Sequence, residues 1–438
     1  MIKLFDEWIK SKDRLDKEFI ILGKGPTINL LPNIDLDKYI SIGLNHLGRE
    51  KKVDIAHAID YEVIKDCGPE FTRNAEYLLM PWVPNVGFRP HTKNLQELCE
   101  EDLVLKRYAN KGHLLTYNRE GFECPLGGTP IRPIFFSGDT VFQLLAYMGE
   151  KMIYSLGVDG GTKYGEDFKD ITPLENGRST FDEQFNVIKE ISKLTGSKFI
   201  KVGELENIKV FVGSQYEQLI PAKVLKNSIR KHTRNPVEFT LLHENTIKYK
   251  IPNDPRKRPR TPFSFQRFLI PSLTKGKAFY LDSDMQVFGD MAELLDIEFG
   301  KHDVLSCGGM NKYSHWKGSE YAFLLIDCDK VSWDIHSIIG MLDSNKLTYE
   351  ELMFDFKMAT VGANIDPNWN SLDAYEEGVT KLLHYTDMNK QPWTHNGHPF
   401  EYIWKNGLLD SLNSGVLTYN EYSEHINRNI IRDVLKKD

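Results

Sequence analysis

The stretch Ala278-Phe279-Tyr280-Leu281-Asp282-Ser283-Asp284-Met285-Gln286-Val287-Phe288 is apolar at both ends and carries two carboxylates in its middle. AFYL reads as a buried strand that delivers Asp282 and Asp284 to its carboxyl end, where α/β sheets place their ligands. Residues two apart in a strand point the same way, so both carboxylates can face one cation. A hard divalent ion with oxygen ligands suits the pair and could bridge the phosphates of a nucleotide. The alternative is a surface turn, because Asp-Ser-Asp is also ordinary loop chemistry.

Outward from that strand, short apolar runs alternate with helix-like segments. EFIILG (18–23), YISIGLN (39–45), VDIAHAID (53–60), YLLMP (77–81), MIYSLGVD (152–159) and KFIKVG (198–203) read as buried strands. DTVFQLLAYMGE and TFDEQFNVIKEISKLTG have helical spacing. This alternation predicts a mainly parallel, doubly wound sheet. After the polar stretch GELEN (203–207), IKVFVGS, YEQLIPAKVLKNSIRKHT and VEFTLLHE restart the strand–helix–strand pattern. That is how a new nucleotide-binding unit opens, and it makes Gly213 and Ser214 candidate nucleotide contacts. The expected fold is α/β, with two Rossmann-like doubly wound domains spanning 1–205 and 206–438. The proline- and charge-rich segment 251–262 is expected to be an exposed loop.

A length of 438 residues predicts two or three domains, and 41% hydrophobic with 11% aromatic residues supplies each with a core. The net charge of −7 argues against overall attraction to nucleic acid or an anionic membrane. No run approaches the roughly 18 apolar residues of a membrane span. The N-terminal MIKLFDEWIKSKDRLDKEF reads as an amphipathic helix, not a signal peptide. Cys67, Cys99, Cys124, Cys307 and Cys328 are odd in number, irregular in spacing and form no C-x-x-C. They are expected to be free thiols in a reducing cytoplasm.

Upstream of the acidic couple stands TPFSFQRFLIP (261–271), and downstream, after an apolar run, HYTDMNKQPW (384–393). With these segments in this order, residues 206–405 resemble retaining glycosyltransferases of family 8, which have the GT-A fold. The resemblance implies that Asp282, Asp284 and His384 are metal ligands for Mn²⁺ or Mg²⁺. It implies that Lys390 contacts the donor diphosphate and that Arg267 touches the donor sugar. Leu324-Leu325-Ile326-Asp327 stands for the family's later strand. The sequence departs from the family in three places. Gln391 interrupts the usual K-P-W, Glu320-Tyr321-Ala322 replaces an Asn-led segment, and the acidic D-Q-D has no copy except TYEELM (348–353). Glu320, Glu350 and Glu351 are therefore the candidates for contacting the sugar. Trp393 reads as packing. The basic run Arg256-Lys257-Arg258-Pro259-Arg260 is either solvated surface or a grip for a diphosphate or anionic acceptor.

In the first half, Gly23-Lys24-Gly25-Pro26-Thr27 follows a strand and is either a phosphate-facing turn or a structural βα turn. Pro26 removes one amide donor from it. With Asn45 after the second strand, FFSGDTVFQLLAYMG (135–149) and the strand end at Asp159, this half resembles two related groups. They are the family 42 sialyltransferases and the domain related to 6-hydroxymethylpterin pyrophosphokinase. The resemblance implies nucleotide contacts at Gly23, Gly25, Thr27, Asn45, Ser137, Gly138 and Asp159. His46, His57 and His113 read as structural.

The expected function is metal-dependent, retaining transfer of a hexose from a nucleotide-diphosphate donor, UDP-linked, to a hydroxyl acceptor in the cytoplasm. Candidate acceptors are a surface glycan or a modified nucleic acid. The alternatives are a nucleotidyl or pyrophosphoryl transferase and a catalytically silent sugar-nucleotide-binding module.

Overall fold

The structure is a computed structural model that describes residues 1–11, 17–132, 136–174, 177–243, 248–261, 263–307 and 321–436. The chain divides into two compact units, Met1–Leu205 and Glu206–Asp438.

Unit 1 is built on eight strands in the order Ile2–Leu4, Leu114–Tyr117, Ala75–Pro81, Val53–His57, Tyr39–Leu44, Glu18–Leu22, Met152–Leu156 and Lys198–Lys201. Every pairing is parallel. A parallel sheet is covered on both faces, which explains why Phe19-Ile20-Ile21-Leu22 is apolar without alternation. Ile20 and Leu22 enter one hydrophobic cluster, while Phe19 and Ile21 enter the other.

The N-terminus departs from the expected helix. Ile2–Leu4 is a strand paired with Leu114–Tyr117, the helix among the described residues is Phe5–Ser11, and residues 12–16 of the expected helix lie outside the described residues. A sheet edge beside the chain offers Ile2–Leu4 backbone partners that outweigh its helical spacing. Its partner, LLTY, is too short to have stood out as a strand.

Unit 2 holds a six-stranded sheet in the order Val237–His243, Ile208–Ser214, Lys277–Asp282, Phe323–Asp327, Val304–Cys307 and Val361–Ile365. Phe323–Asp327 runs antiparallel to both neighbours and the other pairings are parallel. A second, three-stranded sheet joins Met285–Val287, Leu382–His384 and Ser371–Leu372. The two-unit α/β architecture matches the expected fold class. No helix among the described residues is long and apolar enough to cross a membrane.

Candidate active site

Lys277–Asp282 is a central strand, flanked in parallel by Ile208–Ser214 and antiparallel by Phe323–Asp327. Its run Ala278 to Leu281 is fully buried, so the first carboxylate appears only where the strand leaves the core. Three residues on, Met285 pairs antiparallel with His384 in the small sheet. That register carries an imidazole from a hundred positions away to the side of the acidic couple. One ligand atom from each of Asp282, Asp284 and His384 falls within 4.8 Å of the others.

Each of the three is held by a further side chain. His384 Nδ1 lies 3.1 Å from Asn370 Oδ1. An amide oxygen only accepts, so Nδ1 carries the proton and Nε2 presents its lone pair toward the carboxylates. His384 Nε2 is 3.2 Å from Asp284 Oδ1, an oxygen that is buried and makes no hydrogen bond among the described residues. Gln391 Nε2 donates to the other oxygen of Asp284 at 3.1 Å and to the Tyr385 carbonyl at 3.1 Å. The residue that interrupts the family's K-P-W is thus a brace for the acidic couple. Tyr280, on the same strand face, donates its hydroxyl to Asp282 Oδ1 at 2.6 Å.

Burial raises the Asp282 carboxyl to about 6; the Arg267 guanidinium opposes this and the neighbouring Asp284 charge adds to it. Arg267 is buried, with Nη2 3.6 Å from Asp282 Oδ1 and its guanidinium 4.4 Å above the Tyr280 ring. Its Nη1 donates to the Tyr321 carbonyl at 2.6 Å. In this arrangement Arg267 supports Tyr280 and Asp282.

The remaining expected residues are dispersed. Gly213 is opposite Asp282 in the parallel register, with the buried Ser214 beyond it. Lys390 is half exposed, its Nζ 3.0 Å from Asp387 on the same loop. Glu350 is exposed on the short helix Tyr349–Met353. Glu351 closes the cap of that helix with Thr348 and bonds Lys357 at 2.6 Å, which gives it a structural role. Glu320 lies outside the described residues. Trp393 is buried against Tyr385 and Trp404, as expected of packing.

The basic run is largely tied down. Arg256 binds Asp254, Lys257 binds Leu342 and Asn345, Arg258 binds the Pro252 and Asn253 carbonyls, and Arg260 stacks on Tyr349 and Phe354. Of the two readings of the run, these partners favour a protein surface over an anion grip.

In unit 1, Gly23 and Gly157 approach so closely that a Cβ on either would meet the other's carbonyl oxygen at 2.3–2.4 Å. The amides of Gly23 and Gly25 donate to the carbonyls of Leu156 and Gly157, and that of Thr27 to Asp159. The Gly-Lys-Gly-Pro turn therefore joins two strands and has no amide at 23, 25 or 27 left for a phosphate. Asn45, at φ 49°, accepts from the Ser137 hydroxyl at 2.9 Å. Gly23, Gly25, Asn45, Ser137, Gly138 and Asp159 all line one cavity, and Thr27 holds Asp159 at its wall. His57 is fully buried beside Tyr117, and His113 bonds the Glu76 carbonyl.

Residues 187–322 match the family model described as Glycosyl transferase family 8. The chain is similar to Glycosyltransferase GlyE of Streptococcus pneumoniae serotype 4, 27% identical over 169 residues, which are 34% of this chain and 41% of that protein. It is also similar to Protein CDI of Arabidopsis thaliana, 29% identical over 106 residues, 23% of this chain and 41% of that protein. The chain thus spans about two fifths of the length of the curated relatives it matches. Among solved structures, apo-form GlyE aligns at 17% identity and a TM-score of 0.35, over 52% of this chain and 64% of that one. The galactosyltransferase LgtC, in complex with donor and acceptor sugar analogues, aligns at 12% identity and a TM-score of 0.34, over 50% and 100%. The residues matched by the glycosyl transferase family 8 model include the acidic couple Asp282 and Asp284.

Proposed function

We propose that the second unit transfers a hexose, with retention, from a UDP-linked sugar donor to a hydroxyl acceptor, using Mn²⁺ or Mg²⁺ held by Asp282, Asp284 and His384. One observation carries this reading: the two carboxylates and the imidazole converge within 4.8 Å. The donor set fits a divalent cation. Asp284 Oδ1 is buried without a hydrogen bond, and Asn370 leaves His384 Nε2 as the ligating nitrogen. Mixed carboxylate and imidazole ligation suits Mn²⁺. When bound, such an ion neutralises charge that develops on the leaving diphosphate.

The protein's own groups do the rest. Arg267 and Tyr280 favour the ionised form of Asp282 against the cost of its burial. Gln391 fixes the carboxylate plane of Asp284. Lys390 exchanges Asp387 for the donor diphosphate, a change its exposed position allows. The acceptor hydroxyl attacks from the leaving-group side and its proton passes to the departing phosphate, so no protein nucleophile is needed. Glu350 and the segment around Glu320 remain candidates for holding the sugar.

A glycan hydroxyl suits the acceptor better than a nucleic acid, because the net charge is −7 and the basic run is engaged internally. Five cysteines without a disulfide support a reducing, cytoplasmic setting.

The test is UDP release from a panel of UDP-sugars. Release that requires Mn²⁺ and disappears in Asp284→Ala and His384→Ala is the expected result. Pyrophosphate release from a nucleoside triphosphate, with every UDP-sugar left intact, would replace this reading with nucleotidyl transfer. Binding of the donor without turnover would leave only a sugar-nucleotide-binding module.

A further inference from the structure

Between the strand Leu382–His384 and the helix Glu401–Asn413 the chain forms neither helix nor strand. Loops of more than about 12–15 residues without such structure are uncommon in compact domains and concentrate function. This one carries Lys390 and Gln391, and its far half is anchored. Trp393 is buried, Arg432 Nε donates to the Pro392 carbonyl at 2.8 Å, and Gln391 reaches Asp284. The near half, 386–390, is a turn with Met388 exposed. The amides of Asn389 and Lys390 both return to Asp387, as does the Lys390 ammonium. Those bonds stay inside the turn, and its fastening to the rest of the unit is Thr386.

Thr386 donates its amide to Asp373 Oδ1 at 2.9 Å and its hydroxyl to Oδ2. Asp373 stands one residue past the strand Ser371–Leu372, in which Leu372 lies opposite His384. Its own amide donates to the His384 carbonyl at 2.9 Å. At φ 45° it occupies the left-handed region, which bulky residues avoid and Asp tolerates. The same carboxylate receives a third bond, from His398 Nε2 at 3.0 Å. The Phe400 amide donates to His398 Nδ1 at 3.1 Å, so Nδ1 accepts and the proton sits on Nε2, aimed at Asp373. His398 is buried, its ring centroid 5.0 Å from that of Tyr385. One carboxylate thus ties the loop at 386 and again at 398, with charge-assisted bonds stronger than neutral ones.

We infer that Asp373 and His398 are positioning residues for Lys390. Together they fasten the turn 386–390 beside the metal cluster, so that the Lys390 ammonium meets the donor diphosphate. They act through Thr386 and touch neither metal nor donor. The inference rests on the proposed role of Lys390. A half-exposed lysine held by one surface ion pair is directed mainly by the backbone that carries it.

Two measurements on the full chain test this. In hydrogen exchange without metal or donor, His398→Ala should speed the amides of 386–390 at least about fivefold and leave those of Lys277–Asp282 unchanged. In Mn²⁺-dependent UDP release, kcat/KM for the UDP-sugar should fall at least about fivefold in His398→Ala, with Mn²⁺ affinity measured without donor unchanged. His398→Gln, whose amide nitrogen can replace the Nε2 donor, should restore most of the loss. In a Lys390→Ala background, His398→Ala should cost less than about twofold more, because both act through one contact. An equal cost in both backgrounds would overturn the inference, as would wild-type exchange at 386–390 in a folded His398→Ala protein. Should His398→Ala fail to fold, Thr386→Val takes its place with the same expected and contrary results. A wild type that releases no UDP would sink the transferase reading alone, since the exchange measurement needs no donor and decides the fastening separately.

Discussion

Tyr280 occupies the space that a side chain at position 213 would need. A Cβ built on Gly213 would sit 2.4 Å from the Tyr280 hydroxyl and 3.0 Å from Phe263. That hydroxyl is the one bonded to Asp282, so Gly213→Ala pushes on the acidic couple through its neighbour. Overpacking of this kind costs about 1–3 kcal/mol, to be read by urea unfolding, and Mn²⁺ affinity should fall with it. Combined with Tyr280→Phe, which removes the clashing oxygen, the same substitution should cost less than in the wild type. A double-mutant cycle measures the difference.

Asn370 tests the proposed role of His384. Without its carbonyl the ring of His384 loses its orientation, and Asn370→Ala should weaken Mn²⁺ binding about 10–100-fold. UDP release at saturating Mn²⁺ should recover most of its rate. Equal loss of rate at every Mn²⁺ concentration would contradict a positioning role. Asp282, Asp284 and His384 were legible in the sequence, because strand period and motif order both survive in one dimension. Asn370 was not, since its contact arises from the pairing of Ser371–Leu372 with Leu383 and His384. Gln391 was visible only as an anomaly, and its bond to Asp284 supplies the reason for it.

At the scale of elements, the short helix Tyr349–Met353 carries a second signal, a helix start, beside the acidic one. Thr348-Tyr349-Glu350-Glu351 is a capping box, in which Thr348 accepts from the Glu351 amide and Glu351 accepts from the Thr348 amide. Acidic residues here had suggested a partner for the sugar, although the T-x-x-E spacing is itself a helix start. Thr348→Ala should lower stability by about 1 kcal/mol and leave Mn²⁺-dependent UDP release at the wild-type rate. A fall in turnover with unchanged stability would give the cap itself, and not only Glu350, a part in the active site. The basic run is a second case. Its composition allowed solvated surface or anion binding, and carbonyls, an aspartate and two aromatic rings take up its charges locally. The strand Ile2–Leu4 was hidden because a three-residue edge is specified by its partner and has no periodicity of its own to display.

At the scale of the whole molecule, each unit has its own hydrophobic clusters, so pH and metal should act on different parts of the thermal transition. Asp139, on the first turn of Ser137–Tyr147, is 2% exposed, and burial pushes its carboxyl up to about 8 from the ordinary 3.8. The folded unit therefore holds a proton at this site that the unfolded chain releases between about pH 4 and pH 8. Stability from this group is fully present below about pH 4 and is lost as pH rises through about 8. Asp139→Asn retains a neutral side chain of the same shape, so its advantage over the wild type should grow across that window and level off above it. Scanning calorimetry of both proteins at pH 5 and pH 8.5 reads this directly, because all other titrations are common to the pair and cancel in the difference. Added Mn²⁺ should raise the transition of the unit that carries Asp282, Asp284 and His384 by mass action, and should leave the Asp139→Asn difference where it was. An Asp139→Asn advantage equal at the two pH values would mean that this carboxyl is ionised in the folded protein, with a partner that the buried helix start does not supply.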